Sequence, residues 1–148
     1  MINLLIADDE PLVQAGIKSM INWDDLDIHI IGTAANGALA YDMIKANSPD
    51  IVITDIKMPV MTGLELAQKC HKEQLQLPVF IILTGYEEFG YAKEAVSYGV
   101  SDYLVKLELT PETLRAALEK AIATVQNLRK TSQLSGSVPS SIDILKEQ

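Results

Sequence analysis

The chain is short of the features that would tie it to an oxidising compartment, a membrane or a nucleic acid. Cys70 is its one cysteine. That excludes an internal disulfide and suits a reducing cytoplasm. No apolar run reaches the roughly 18 residues that a membrane span needs. No basic leader with an apolar stretch and a small-residue cleavage site opens the chain, so a cytoplasmic location is expected. Positive charge is scarce: 12 Lys and Arg stand against 20 Asp and Glu, for a net charge of −8 and a pI of about 4.6. Phosphate contacts need clustered Lys and Arg, so this chain is not expected to grip nucleic acid by itself. The balance fits cation binding or a basic partner. His29 and His71 are the only histidines. They stand in no metal-ligand pattern, and no chemistry is assigned to them.

What is present is a core. Apolar residues make up 48% of 148 residues, enough for one packed domain with a tail. Short apolar runs alternate with longer helical patterns. The runs 2–7 (INLLIA), 28–34 (IHIIGTA), 50–54 (DIVIT), 79–84 (VFIILT) and 101–106 (SDYLVK) predict strands buried on both faces. Between them, apolar residues three and four apart predict helices over 11–22, 37–47, 63–74 and 87–98. A last helix runs from Pro111 to about residue 130, capped by Thr110 and carrying the stripe Leu114, Leu118, Ala121, Ile122 and Val125. Pro49 and Pro78 precede strands, and Gly99 ends a helix.

Five βα units in succession predict an α/β fold: a flavodoxin-like, doubly wound, five-stranded parallel sheet of order 2-1-3-4-5. Residues 1–130 form the expected domain. Residues 131–141 (TSQLSGSVPSS) are rich in Ser with Gly and Pro, so 131–148 reads as a linker or tail.

Ligands of such sheets bind beyond the carboxyl ends of the strands, where the strand order reverses. Here the first strand ends in Asp8, Asp9 and Glu10, the third in Asp55, the fourth in Thr84-Gly85 and the fifth in Lys106. Crowded carboxylates repel and raise one another's proton affinity. A divalent cation removes that conflict. Oxygen ligands without His or Cys favour magnesium, which binds through one or two carboxylates plus phosphate oxygens. Lys106 and Thr84 supply a point charge and a hydroxyl for the same phosphoryl group. Asp55, placed deepest between the two ends of the crevice, is the candidate nucleophile toward phosphorus. Glu10 is expected at the rim. Plainer readings exist for each residue: a helix cap for Asp8 and Asp9, a strand position for Thr84, a surface lysine for Lys106.

Asp8-Asp9, then 55–63 (DIKMPVMTG), Thr84-Gly85 and 102–106 (DYLVK) together resemble the receiver domain of two-component response regulators, over about residues 1–125. The resemblance implies that Asp55 accepts a phosphoryl group from a sensor histidine kinase. It implies magnesium on Asp8, Asp9, Asp55 and the backbone carbonyl of Lys57. It implies phosphoryl contacts from Thr84, Gly85 and Lys106, and a switch made of Thr84 and the aromatic Tyr103. Residues 20–23 (MINW), 55–59 (DIKMP) and 85–93 (GYEEFGYAK) resemble receivers joined to AraC-type helix-turn-helix transcription regulators. That implies DNA binding only through a C-terminal output domain that this sequence does not include. It also implies a homodimer, when phosphorylated, through the helix over 87–98, the fifth strand and the last helix. Leu107 stands where the family usually has Pro after the Lys, and a trans bond is expected there, because a cis bond before a non-proline residue costs about 2.5–4 kcal/mol.

Other functions fit less well. An aspartyl-phosphate hydrolase would place a second Asp two residues after the nucleophile. Lys57 is there, so the chain is expected to be no enzyme beyond magnesium-dependent self-phosphorylation and slow self-dephosphorylation. A flavin or nucleotide domain would want a Gly- or Ser/Thr-rich loop where Asp8-Asp9-Glu10-Pro11 stands. A stand-alone or degenerate receiver acting as an interaction module is the remaining alternative.

Overall fold

The computed structural model describes residues 1–85, 87, 90 and 99–136. Apart from residues 87 and 90, the helix expected over 87–98 lies outside the described residues, as do residues 137–148. The described elements are β1 (Ile2–Ala7), α1 (Pro11–Met20), a 3-10 turn (Trp23–Leu26), β2 (Ile28–Ala34) and α2 (Gly37–Asn47). They continue with β3 (Ile51–Asp55), α3 (Gly63–Lys72), β4 (Val79–Thr84), β5 (Val100–Val105), a second 3-10 turn (Lys106–Glu108) and a long helix, α4 (Pro111–Gly136). The strands pair in parallel in the order β2-β1-β3-β4-β5.

Alternation along the strands builds two cores. Leu4, Ile6, Ile53, Ile81 and Leu83 point to one face, where Ile17 of α1, Trp23 and Leu114, Leu118, Ala121 and Val125 of α4 cover them. Leu5, Ala7, Val52, Phe80 and Ile82 point to the other, under Ala40 and Ile44 of α2 and Leu66, Ala67 and Cys70 of α3. Every residue of β3 and β4 is buried. That is why these strands read as unbroken apolar runs rather than as alternating ones.

Local chemistry sets the helix starts. Thr62 accepts from the Glu65 N–H at 3.1 Å while the Glu65 carboxylate accepts from the Thr62 N–H at 2.9 Å, a reciprocal cap. The Asn36 side chain accepts from the Leu39 N–H at 2.9 Å at the head of α2. Thr110 does the same for the Thr113 N–H at 3.1 Å, with Pro111 in the first position of α4.

Two differences from the sequence reading concern α1 and α4. α1 stops at Met20, and Trp23 then donates its indole N–H to the Lys18 carbonyl at 2.9 Å, folding the chain back against the helix. α4 continues past residue 130 to Gly136. Extending a formed helix adds one hydrogen bond per residue at no further nucleation cost, and neither Gly nor Pro interrupts 131–135.

The end of α4 is fastened to the amino-terminal edge of the sheet. The Arg129 guanidinium lies 2.8 Å from Asp50 Oδ1, and Asp50 is buried. The other Asp50 oxygen accepts from the Asn3 N–H at 2.8 Å, which joins the starts of β1 and β3. The one cis peptide bond among the described residues is Leu77–Pro78, so the Lys106–Leu107 bond is trans, as expected.

Candidate functional site

The site forms at the opposite edge, where β1, β3, β4 and β5 end together. Ala7 pairs with Thr54, so Asp8 and Asp55 emerge side by side from neighbouring strands. Asp8 is fixed from several directions. Its N–H donates to Ala34 O at 2.9 Å, its Oδ1 accepts from the Glu10 N–H at 2.9 Å, and its carbonyl accepts from the Gln14 amide at 2.6 Å. Asp55 Oδ1 accepts from the Ile56 N–H at 2.8 Å. Its remaining oxygen faces the crevice.

Two glycines bring the loop after β3 close to this point. A Cβ on Gly63 would lie 2.1 Å from the Asp55 carbonyl oxygen, and one on Gly37 would lie 2.3 Å from the Met61 carbonyl oxygen. Hydrogen bonds take that space instead: Gly63 N–H to Ile56 O at 2.9 Å and Gly37 N–H to Met61 O at 3.1 Å. The loop carrying Lys57, Pro59 and Met61 is thereby stitched to both α2 and β3.

Lys106 follows β5 and reaches across the crevice. Its ammonium sits 3.0 Å from Asp55 Oδ2, 3.0 Å from Glu10 Oε1 and 3.1 Å from Asp8 Oδ2. Asp8, Asp9, Glu10 and Asp55 each offer a carboxylate oxygen within 4.8 Å of the others. Asp8 is the deeper of the two central acids, with no exposure against 6% for Asp55. Asp8 is held at the start of α1 by the Glu10 N–H and the Gln14 amide, while Asp55 carries the Lys106 ammonium. Asp9 is exposed, at the rim of the same cluster.

The electrostatics follow from this burial. Desolvation pushes the Asp8 carboxyl above its ordinary value, opposed by the Glu10 N–H and by Lys106. Desolvation likewise raises Asp55, helped by the charge of Asp8 and opposed by Lys106. Burial alone would lower the Lys106 ammonium, but Asp55, Glu10 and Asp8 together hold it well above its ordinary value. A tethered monocation thus shares a pocket with more negative charge than it can balance.

That pocket fits a hard divalent cation. The contact from Lys106 to Asp8 Oδ2 is an ion pair without hydrogen-bond alignment, so among the described residues this buried oxygen has no hydrogen-bond donor. A buried, unsatisfied carboxylate oxygen beside three further acids is a donor set suited to magnesium.

The other expected site residues fall as follows. Thr84 is buried at the end of β4, and its hydroxyl donates to Gly85 O at 2.9 Å rather than toward Asp55. The Lys57 side chain is exposed and lies 3.9 Å from Glu87. Tyr103 is half-buried on β5 against the core under α2 and α3, and burial raises its hydroxyl. Glu10 is the residue whose part the sequence reading underrated. Its side chain is 61% exposed, as a rim position should be, yet its carboxylate turns inward to Lys106. The run of three acids was the available signal.

Comparison with known proteins gives a consistent result. The family profile of the response regulator receiver domain matches residues 4–119. The chain is 41% identical over 138 residues to the transcriptional regulatory protein YesN of Bacillus subtilis, covering 90% of this chain and 37% of that protein. It is 36% identical over 106 residues to the transcriptional regulatory protein HptR of Staphylococcus aureus, covering 72% of this chain and 41% of that protein. The chain thus spans about two fifths of the length of these curated relatives. Among solved structures it is similar to the receiver domain of AraT, a response regulator from Geobacillus stearothermophilus. That match has a TM-score of 0.75 and 33% identity, and covers 88% of this chain and 98% of the other. It is also similar to a two-component transcriptional regulator AraC from Clostridium phytofermentans, with a TM-score of 0.77, 31% identity, and 86% and 97% covered.

Proposed function

The chain belongs to the response regulator receiver domain family, and from that premise we propose that it is a phosphorylation-driven switch of a two-component system, acting in the cytoplasm. The observation that carries this reading is the Lys106 ammonium 3.0 Å from Asp55 Oδ2 inside a cluster of four carboxylates. Asp55 is the phosphoryl acceptor. Its carboxylate oxygen attacks phosphorus of a phosphohistidine on a sensor kinase. The P–N bond breaks, the imidazole leaves as its neutral form after taking a proton, and an aspartyl phosphate remains. Asp8, Asp9, Asp55 and the Lys57 carbonyl would hold magnesium, which supplies charge neutralisation for the phosphoryl oxygens.

Lys106 contributes a point charge to those oxygens. Thr84 exchanges its bond to Gly85 O for one to a phosphoryl oxygen, with the Gly85 N–H alongside. That rotation vacates space beside Tyr103, which then turns inward and alters the outer surface of β5. Hydrolysis by water returns the Asp55 carboxylate and inorganic phosphate. No acid stands two residues after Asp55, where Lys57 lies, so this return is slow. The chain is therefore a switch with self-limiting chemistry rather than a turnover enzyme.

The lengths and names of the curated relatives support a further part of the reading. In the whole protein, this domain governs a C-terminal DNA-binding output domain, to which residues 131–148 lead. Phosphorylated copies pair through β5, α4 and the helix expected over 87–98, which lies outside the described residues. The rival reading, a receiver that only scaffolds, lacks support from a crevice with Asp8, Asp9, Asp55, Thr84 and Lys106 all in place.

The test is intact mass after exposure to a small phosphodonor. The expected result is one phosphoryl adduct that needs magnesium and vanishes in Asp55→Ala. No adduct on the folded parent chain would overturn the switch reading and leave the scaffold.

A further inference from the structure

Lys106 carries three ammonium hydrogens and has three carboxylates at 3.0–3.1 Å. It bonds to Asp55 and Glu10 and pairs electrostatically with Asp8. For this lysine to serve a phosphoryl group, one of these partners must give way. The proposed chemistry changes two of them. Phosphorylation converts an Asp55 oxygen into the bridging atom of an acyl phosphate and carries its charge outward. A cation on Asp8 screens the second. Glu10 is the partner that the chemistry leaves unaltered. It keeps its full charge, stands at the rim with room to move, and already holds the ammonium at 3.0 Å.

We propose that Glu10 is a positioning residue that competes with the phosphoryl group for Lys106, and so sets how firmly the phosphorylated state is held. This rests on the receiver reading of the same site. Glu10 acts through Lys106 and touches neither the phosphorus nor Asp55. Its hold on the lysine draws the ammonium toward the mouth of the crevice in the resting state. It subtracts from lysine–phosphoryl attraction in the active one.

The experiment measures the affinity of beryllofluoride, a phosphoryl mimic on Asp55, by calorimetry at saturating magnesium. Parent, Glu10→Gln and Glu10→Asp chains are compared, each with and without Lys106→Met. Expected is tighter binding in both Glu10 variants by about twofold to fivefold, the range of a partly exposed ion pair. The aspartate keeps the charge but is one methylene shorter, so it must also gain. Both gains must disappear in the Lys106→Met background, as a pairwise interaction requires. A gain in Glu10→Gln alone, or one that survives loss of Lys106, would overturn the proposal in favour of a general charge effect. No gain would overturn it outright. If Lys106→Met does not fold or binds no beryllofluoride, the Gln and Asp variants decide by themselves. A parent chain that binds no beryllofluoride, or binds it equally after Asp55→Ala, would overturn the receiver reading itself, a result distinct from an unchanged affinity among the Glu10 variants.

Discussion

Arg129, in the last turns of α4, reaches the buried carboxylate of Asp50 at the start of β3, 2.8 Å away. The pair joins the last described helix to the central strand at the end of the sheet farthest from Lys106. Removing one member of a buried pair leaves the other charge poorly compensated. Here Arg129 is part-exposed and Asp50 keeps the Asn3 N–H, so the penalty is moderate. Arg129→Met should cost about 1–2 kcal/mol in urea unfolding. Arg129→Met with Asp50→Asn should cost less than the sum of the two single changes. A cost for Arg129→Met within about 0.5 kcal/mol, the level of an ordinary surface change, would show that the helix end is not anchored by this contact.

Two glycines should respond in opposite directions to the same substitution. Gly63→Ala forces a methyl to within 2.1 Å of the Asp55 carbonyl oxygen. It should destabilise the fold by about 2–3 kcal/mol and, by displacing Asp55, abolish the acceptor activity proposed for it. Among the described residues, nothing lies within 4 Å of a new Cβ on Gly16, inside α1. Gly16→Ala should stabilise by about 0.5–1 kcal/mol. Equal effects in thermal or urea unfolding would refute the packing described for the loop after β3.

The raised carboxyls of Asp8 and Asp55 predict how pH and magnesium interact. The folded state binds these protons more tightly than the unfolded chain, whose carboxyls titrate near 3.8. Stability from this source is complete below that value and is lost as pH rises through the raised folded values. Magnesium, held as proposed, would bind the ionised pair and so work in the other direction. It should raise the melting temperature at neutral pH and do progressively less as the solution is acidified into the raised range. Melting curves with and without magnesium across pH check this. An increment that grew toward acid would contradict it.

On the surface between α2 and α3, the Tyr41 hydroxyl donates to Glu73, and this bond holds the phenol up to about 12. Lys69 lies over the ring at 4.8 Å. A spectrophotometric titration should therefore show a late-ionising tyrosine that is lost in Tyr41→Phe and returns to the ordinary range in Glu73→Gln. An unchanged profile in Glu73→Gln would place the cause elsewhere.

The pairing proposed for phosphorylated copies makes a separate statement about mass. Sedimentation should show a monomer without a phosphoryl mimic and a dimer with beryllofluoride and magnesium. A monomer under both conditions would remove the pairing while leaving the acceptor chemistry intact.

The sequence was most informative where one physical signal dominated. Strands β1, β2 and β4 begin and end where their apolar runs do. For β4 the reason is burial on both faces, which admits no polar residue except Thr84 at its end. The crevice was legible because residues at strand ends share one edge whatever the details of packing. Other features depended on particular contacts. The reach of Glu10 to Lys106 is a matter of side-chain conformation at an exposed position. The bonds that fix Asp8, from the Glu10 N–H and the Gln14 amide, likewise depend on how α1 begins. The continuation of α4 through 131–136 was obscured by composition, since Thr, Ser and Gln there suit a linker as readily as they suit a helix already under way.

The unbroken run of α4 from Pro111 to Gly136 also fixes an angle. The helix is anchored at Arg129, and its exit lies about 10 Å farther along the axis at 1.5 Å per residue. Over that span the backbone behaves as an indexed shaft. One residue inserted between Arg129 and Gly136 would swing the exit by about 100°, whereas seven would return it to within about 20° of its starting bearing. The count of residues in that stretch, more than their identity, determines the bearing of the helix at Gly136.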